Sequence, residues 1–342
     1  MRQLHCPACR ESIFFEHGRC GHCGASLAFD PVSLEFRGND DQPVCANRSL
    51  IGCNWAAQAD NGYCISCSLT RTIPVIQQRN VVLWRRAEQA KRRLLYDLAR
   101  LRLPLSSQAG DRHIVFDILA EDGSKPVMTG HLRGLITLSL SEADDVEREA
   151  RRMRFREPYR TLLGHFRHEV GHFYWDLLVD GTKLQRPFRL IFGDETADYK
   201  ESIERYHARG DRPYDRTAFI SEYATSHPWE DWAETFAHFL HIVSTLDSAS
   251  SLPLSLDRRL HQTLDDPYME GDFEALLASW SPVAYTINEL NRSMGLSDAY
   301  PFELSAVARG KLHFVHMAVL NFREQTSDAE PPARSLSAVG LL

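Results

Sequence analysis

Residues 168–172 read His168-Glu169-Val170-Gly171-His172. The two histidines are four positions apart, so a helix places both imidazoles on one face, where they can bind a single zinc ion. Glu169 then lies beside the metal, where it can hold a water molecule and act as a general base. This stretch predicts an active-site helix with a catalytic zinc. A helix with partly buried histidines is the structural alternative.

The third ligand decides which class of zinc site this is. A metzincin would place glycine at position 175 and histidine at position 178, whereas this chain has Trp175 and Leu178. A carboxylate on a second helix remains, and Pro228 suits the start of such a helix. We expect Glu230 to bind the zinc and Glu234, one turn later, to accept the outer N–H of a ligating histidine. Glu234 as the ligand, or both glutamates as surface acids, are the alternatives.

The second helix also resembles a known group of enzymes. Glu230-Asp-Trp-Ala-Glu234 is similar to the ExFAE-type helix of gluzincin peptidases, including the catalytic domain of anthrax lethal factor. In that group the first glutamate is the ligand, and a tyrosine seven residues earlier stabilises the transition state. Tyr223 stands at that position in this chain. The resemblance therefore implies that Tyr223 donates a hydrogen bond to the developing oxyanion.

The whole chain resembles a bacterial family called "putative zinc-binding metallopeptidases", whose members begin with a zinc ribbon. The resemblance is carried by residues 160–176, by Phe192-Gly-Asp-Glu195 and by His227-Pro-Trp-Glu-Asp-Trp-Ala-Glu234. It implies peptide hydrolysis by a zinc-bound water whose pKa falls towards about 7. Glu169 would take the proton of that water and deliver it to the leaving amine.

All eight cysteines precede residue 68. The first four form two CxxC pairs, and the other four combine one CxxC pair with two cysteines separated by seven residues. Without a secretion signal, such pairs favour zinc binding over disulfides. For the second set, a loop with free buried thiols is the alternative. The two structural zinc sites that we expect are Cys6, Cys9, Cys20 and Cys23 in a zinc ribbon, and Cys45, Cys53, Cys64 and Cys67.

Beyond the cysteines, the hydrophobic pattern changes from irregular to periodic. Ala87, Leu94 and Leu98 recur at helical spacing and predict a long amphipathic helix. Residues 113–119 and 134–140 read as strands, and the chain after them is mainly helical. We expect an α+β fold with a double zinc ribbon, then a zincin-like domain with a small sheet and a mainly helical C-terminal half. The predicted domains are 1–72 and 73–327, with a loose tail at 328–342.

The strand at 134–140 comes shortly before the active-site helix. In zincin-like folds that position is the edge strand that lines the cleft, which is an implication of the resemblance. An edge strand has unpaired N–H and C=O groups that an extended peptide can satisfy. We therefore expect the substrate to bind as an added strand along 134–140, with an interior strand as the alternative.

Charge and hydropathy limit the partners. The 342 residues carry a net charge of −7, and no stretch approaches the roughly 20 apolar residues of a membrane span. Residues 1–72 have six arginines, no lysine and seven acidic residues, and bound thiolates would add negative charge. This is a poor footprint for nucleic acid. We expect a cytoplasmic protein with a peptide or protein substrate, a protein partner at the ribbon, and neither nucleic acid nor membrane.

Three function hypotheses follow from these observations. The first is a zinc peptidase with one catalytic and two structural zinc ions. The second is a catalytically silent adaptor that keeps zinc for structure, against which the intact Glu169 argues. The third is a DNA-associated protease docked by its ribbon, against which the acidic ribbon argues.

Other polar residues have simpler explanations. Asp194, Glu195 and Asp198 suit either the wall of a cleft or the capped start of a helix. His238 and His241 are expected to be core or surface histidines rather than a second metal site. The seven basic residues between positions 85 and 102 predict a solvated helix face. The sequence gives no physical explanation for Asn288, Asn291 and Arg292.

Overall fold

A computed structural model describes most of the chain. The predicted tail at 328–342 lies outside the described residues. The chain divides into two compact units, Met1–Arg151 and Arg152–Asp328. The described residues are 2–38, 43–58, 61–107, 110–121, 127–155, 161–210, 213–251 and 264–327.

The first unit begins with two antiparallel hairpins and two single-turn helices. Phe15, Phe29 and Trp55 are buried and pack edge to face or tilted against one another, with ring centroids 4.9–6.3 Å apart. These aromatic rings give the cysteine-rich part a small core of its own. The elements are β1 (Leu4–His5), β2 (Ser12–Ile13), β3 (Leu27–Asp30), β4 (Glu35–Gly38), α1 (Arg48–Ile51) and α2 (Ile65–Ser68).

The long amphipathic helix is present as α3 (Gln78–Arg100). Its predicted apolar stripe is buried, with Ala87, Leu94 and Leu98 fully inaccessible to solvent. The prediction that its basic residues form a solvated face is wrong for part of the helix. Lys91 is fully buried because its ammonium group lies 2.9 Å from the buried carboxylate of Glu88. The other buried charged residues of α3 are Arg92, Asp97 and Arg100.

Four strands of the first unit form one mixed sheet in the order β5-β6-β8-β7. The predicted strands at 113–119 and 134–140 are confirmed as β6 and β8, which pair in parallel. β6 also pairs in parallel with β5, and β7 pairs antiparallel with β8. The strands are β5 (Thr70–Thr72), β6 (Val115–Leu119), β7 (Gly130–Leu132) and β8 (Leu135–Ser139).

The expectation that a peptide adds along residues 134–140 is wrong, because β8 is an interior strand. β6 occupies one side of β8 and β7 the other. A tight turn at Gly134 returns the chain from β7, and this turn requires glycine: its φ is +92°, and a Cβ there would clash with the carbonyl oxygen of His113. Ile136 and Leu138 of β8 are fully buried, so the apolar residues of this strand belong to the core and do not line a binding edge.

The second unit is helical, as predicted. α8 is its central helix and packs against α5 and α10. Trp232 of α8 lies among the rings of Phe188, Phe236 and Phe314, which form an aromatic core. No helix in the described part of the chain is long and apolar enough to span a membrane. The helices from the end of the first unit onwards are α4 (Asp145–Phe155), α5 (Leu162–Leu178), α6 (Gln185–Ile191), α7 (Tyr199–Ala208), α8 (Pro228–Ser251), α9 (Phe273–Ser293) and α10 (Ala306–Ser327).

The residues near 290 that the sequence left unexplained hold the segment after α9. Asn288 donates to the carbonyl oxygen of Tyr300 at 2.9 Å and accepts from its N–H at 3.0 Å. Asn291 donates to a backbone carbonyl of the same segment, and Arg292 forms a bidentate ion pair with Asp298. These three residues are therefore structural.

Candidate zinc centre

The predicted ligands come from two helices that face each other. α5 carries His168 and His172, and α8 carries Glu230 in its first turn. Oε2 of Glu230 lies 2.9 Å from Nε2 of His168 and 3.4 Å from Nε2 of His172. All three potential ligand atoms lie within 4.8 Å of one another. The structure thus brings together the three side chains that the spacing of the sequence selected.

Gly171 allows the two helices to approach this closely. A Cβ at this position would lie 3.0 Å from Cα and 3.2 Å from the carbonyl oxygen of Ala233, so α8 occupies the space that a side chain would need. Trp232 donates from its indole N–H to the carbonyl oxygen of Gly171 at 2.8 Å. The small residue within the HExxH motif therefore sets the distance between the helices that hold the ligands.

The donor set fits a catalytic zinc ion. Two imidazole nitrogens and one carboxylate oxygen match the His₂Glu set of zinc hydrolases, which leaves a fourth position for water. His172 and Glu230 are buried. Burial opposes ionisation of Glu230, but His172 and His168 outweigh it and hold the pKa of that carboxyl well below its usual range. An ionised carboxylate beside two imidazoles can accept a divalent cation.

Glu234 lies on the outer side of the same centre. One of its oxygens lies 2.7 Å from Nδ1 of His168, and the other accepts from the hydroxyl of Ser221 at 2.6 Å. Burial raises the pKa of Glu234, but the contacts with His168 and Ser221 prevail and bring it to about 2. An ionised Glu234 can orient the ring of His168 so that Nε2 points towards the other ligand atoms.

Glu169 and Tyr223 are the two residues with expected catalytic roles, Glu169 from the HExxH pattern and Tyr223 from the resemblance to gluzincin peptidases. Glu169 is buried next to His168, and this burial raises the pKa of its carboxyl. Tyr223 lies on a single 3₁₀ turn before α8, and its ring centroid is 5.7 Å from that of His168. Burial, followed by the charge of Glu230, raises the pKa of Tyr223 well above its usual value. Its hydroxyl therefore stays protonated and able to donate.

Sequence reasoning missed Tyr199. Its hydroxyl donates to Oε1 of Glu230 at 2.7 Å. The tyrosine precedes Glu230 by 31 positions, begins a different helix and belongs to no recognisable spacing. Only the Asp198 cap next to it gave a signal in the sequence, and that signal concerned the helix rather than the site.

The acidic residues near 195 have the role of loop and helix caps. Asp198 accepts from the N–H of Glu201 and caps α7. Asp194 accepts from the N–H of Thr196 at 2.9 Å, and Glu195 pairs with the guanidinium of Arg189. These contacts agree with the capped-helix interpretation. None of the three acidic residues is in the group of potential zinc ligands.

In the second unit His238 is buried and His241 is half-buried. Nδ1 of His238 lies 2.9 Å from the hydroxyl of Tyr300, and His241 stacks on the ring of Tyr300. Burial lowers the pKa of His238 to about 4. Neither histidine is in any of the three potential metal-binding groups found among the described residues.

A buried lysine supports the first turn of α8. The ammonium group of Lys311 on α10 donates to Asp231 at 2.6 Å and to the carbonyl oxygen of Ala218 at 2.7 Å. Both Lys311 and Asp231 are nearly inaccessible to solvent. Since Asp231 follows Glu230 directly, this contact links the ligand-bearing turn to α10 and to the segment before Tyr223.

The two four-cysteine groups also have the geometry of zinc sites. Four sulfurs bound tetrahedrally at about 2.3 Å would lie about 3.8 Å apart. The observed distances between sulfurs are 3.7 Å for Cys6 to Cys23, 3.7 Å for Cys9 to Cys20 and 3.6 Å for Cys53 to Cys64. None of the eight is in a disulfide. All four cysteines of the second group, Cys45, Cys53, Cys64 and Cys67, are buried.

Comparison with known proteins agrees with this architecture. The family described as "putative zinc-binding metallo-peptidase" matches residues 80–318, and a zinc-ribbon domain matches residues 3–78. Uncharacterized proteins of Mycobacterium bovis and of two Mycobacterium tuberculosis strains are 40% identical over 341 aligned residues, which cover 97% of this chain and 98% of each relative. No solved structure matches the chain significantly. The chain therefore belongs to the putative zinc-binding metallopeptidase family and carries an N-terminal zinc-ribbon domain.

Proposed function

We propose that this protein is a zinc peptidase whose catalytic zinc is held by His168, His172 and Glu230. The observation that carries the proposal is the convergence of these three ligand atoms within 4.8 Å, directly beside a buried Glu169. A site that used zinc only for structure would need the ligands but not a carboxylic acid of raised pKa next to them.

Each residue of the centre has a role in the proposed reaction. Zinc supplies a Lewis acid that polarises the scissile carbonyl and lowers the pKa of a water molecule. Glu169 accepts the proton of that water and later donates it to the leaving amine, for which a raised pKa is suitable. Tyr223 donates to the developing oxyanion, and Glu234 keeps the ring of His168 in place.

The two four-cysteine groups take one structural zinc ion each, which makes three zinc ions per chain. We propose that this N-terminal module docks a protein partner. Its six arginines and seven acidic residues give no positive field for nucleic acid, and bound thiolates make it more negative. The same charge argues against the DNA-associated protease, which is the second candidate that the ribbon suggests.

Proteome-wide cleavage profiling of the wild type and of Glu169→Gln tests the peptidase. Losing a general base lowers the rate by about 10²–10⁴-fold, so cleavage products of the wild type should disappear with Glu169→Gln. Zinc content should stay the same, because Glu169 is not a ligand. Glu204→Gln, on the exposed face of α7, is the matched control and should cleave like the wild type. Equal cleavage by Glu169→Gln would exclude the mechanism, and a zinc-loaded wild type without products would favour the adaptor.

A further inference from the structure

One hydrogen bond at the candidate zinc centre has no part in the reaction described above. The hydroxyl of Tyr199 donates to Oε1 of Glu230 at 2.7 Å, while Oε2 of the same carboxylate faces Nε2 of His168 and of His172. The two oxygens of Glu230 thus have different partners. From this division we infer that Tyr199 is a positioning residue for the zinc ligand: it holds Oε1 and thereby directs Oε2 to the metal.

A carboxylate that coordinates through one oxygen needs something to fix the other one. Without such a partner the carboxylate rotates about its last bond, and the second oxygen competes for the same metal position. Glu230 is 1% exposed, so water has little access to do this. Tyr199 supplies a donor there, because its phenol hydroxyl lies within hydrogen-bonding distance of Oε1, at 2.7 Å.

The loop before Tyr199, residues 193–198, makes contacts that fix the position of the Tyr199 hydroxyl. Gly193 begins it with φ +106°, and a Cβ there would lie 3.2 Å from the ring of Pro228, the first residue of α8. His227 donates from Nε2 to the carbonyl oxygen of Ala197 at 3.1 Å. The loop therefore passes close to the first residue of α8 at Gly193 and is hydrogen-bonded to the residue before that helix, His227, at Ala197.

The acidic residues of the loop stabilise it from the other side. Glu195 accepts from Nε of Arg189 at 2.9 Å and from the amide of Gln185 at 3.0 Å, both on α6. Asp198 caps α7, so the helix begins at Tyr199 itself and fixes the direction of its side chain. The Gly-Asp-Glu stretch, which has no ligand role, thus acquires a function through Tyr199.

This inference rests on the proposed zinc centre but not on peptidase activity, because zinc affinity can be measured without a substrate. The full chain is stripped at the catalytic site with a mild chelator, and zinc is then titrated back against a chromophoric chelator. His172→Ala, which lacks this site, gives the baseline for the cysteine sites. Loss of a group that orients a ligand weakens metal affinity by about 10–100-fold, so Tyr199→Phe should raise the dissociation constant by that factor.

Two further variants separate positioning from general stability. Gly193→Ala strains the loop but keeps the hydroxyl, so it should also weaken zinc binding. In the Tyr199→Phe background it should add less than it does alone, because the part of its effect that acts through the Tyr199 hydroxyl is already lost. Tyr285→Phe on α9, whose residue is 68% exposed, is the matched control and should bind zinc like the wild type.

The metal-free proteins decide how the affinities are interpreted. An unchanged unfolding midpoint of metal-free Tyr199→Phe, together with weaker zinc binding and non-additive Gly193→Ala, supports the inference. An unchanged zinc dissociation constant for Tyr199→Phe overturns it. So does a loss of zinc-binding free energy that is equalled by the loss of unfolding free energy in the metal-free protein. If neither the wild type nor any variant cleaves peptides, the proposed function is contradicted. The zinc affinities would still test the role of Tyr199.

Discussion

Glu234 and His168 form a hydrogen bond of 2.7 Å across the two helices of the candidate zinc centre. The bond uses Nδ1 of the histidine, so Nε2 is left to face Glu230 at 2.9 Å. Two glutamates one turn apart on α8 therefore contact the two nitrogens of one imidazole, Glu234 at Nδ1 and Glu230 at Nε2. This arrangement gives them different functions that mutation can separate.

We expect Glu230→Ala to lose the catalytic zinc and Glu234→Ala to keep it more weakly. Removing the carboxylate that orients a ligating histidine lowers metal affinity by about 10–100-fold, whereas removing a ligand leaves only two protein donors. The measurement is zinc content after dialysis against a graded series of chelator concentrations. Glu204→Gln controls for loss of negative charge alone. The opposite order of the two variants would mean that Glu234 is the ligand.

The protein should contain three zinc ions per chain when purified without added metal. His168→Ala should contain two, since the cysteine sites do not depend on α5. Elemental analysis of both proteins at known concentration measures this directly. A wild-type content near one zinc ion per chain would show that the cysteine groups do not bind zinc. A value near two that His168→Ala leaves unchanged would remove the catalytic site.

The parts of the structure that sequence reasoning predicts are those with a local, repeating signal. The helix spacing of His168 and His172, the CxxC pairs and the apolar stripe of α3 each involve residues close in the chain, so periodicity alone places them. Pro228 correctly marks the start of α8. These signals suffice to locate the ligand helices and the cysteine groups.

The parts that it misses depend on contacts between distant segments. Tyr199 reaches Glu230 across 31 positions, and no spacing rule relates two residues on different helices. β7 is only three residues long and reads Gly-His-Leu, so nothing in the sequence shows that it covers the side of β8. The burial of Lys91 has a related cause. Its partner Glu88 lies only three residues earlier on α3, but Thr70, which contacts both side chains, belongs to β5 and comes close only when the helix packs on the sheet.

Gly171 and Gly310 should respond in opposite ways to the same substitution. Both are inside helices, where alanine is intrinsically favoured over glycine by roughly 0.5–1 kcal/mol. At Gly310 nothing lies within 4 Å of an added Cβ, so Gly310→Ala should stabilise by about that amount. At Gly171 the added methyl group meets the backbone of Ala233 at 3.0 Å, and overpacking should destabilise by about 1–3 kcal/mol.

Urea unfolding of the two alanine variants measures this difference, and zinc affinity measures its consequence for the site. Because Gly171 sets the separation of α5 and α8, Gly171→Ala should also weaken the catalytic zinc, whereas Gly310→Ala should not. A Gly171→Ala protein as stable and as zinc-competent as the wild type would show that the helices can move apart without cost.

The last prediction concerns the buried charges of α3. The carboxylate of Glu88 accepts from Lys91 at 2.9 Å and from Thr70 at 2.6 Å, and both charged side chains are fully buried. Removing one member of such a pair leaves an uncompensated buried charge and typically costs about 3–5 kcal/mol. Glu88→Gln and Lys91→Met should therefore each destabilise strongly, while the double variant should recover much of the loss.

The pH dependence of this pair follows from the direction of the pKa shift of Glu88. Burial opposes ionisation, but Lys91 outweighs it and holds the pKa below 4.5. The unfolded chain then binds the proton more tightly than the folded protein, so the stability that ionised Glu88 contributes is fully present above pH 4.5 and is lost as the pH falls through the folded value. Unfolding free energies of the wild type and the double variant, measured from pH 7 down to pH 3.5, test this. Both proteins keep the same zinc ligands, so metal loss affects both, and the wild type should lose stability relative to the double variant only below pH 4.5. A constant difference between them would show that the pKa of Glu88 does not change on folding, and a wild type that gains relative stability between pH 7 and pH 4.5 would show that Glu88 is protonated in the folded protein.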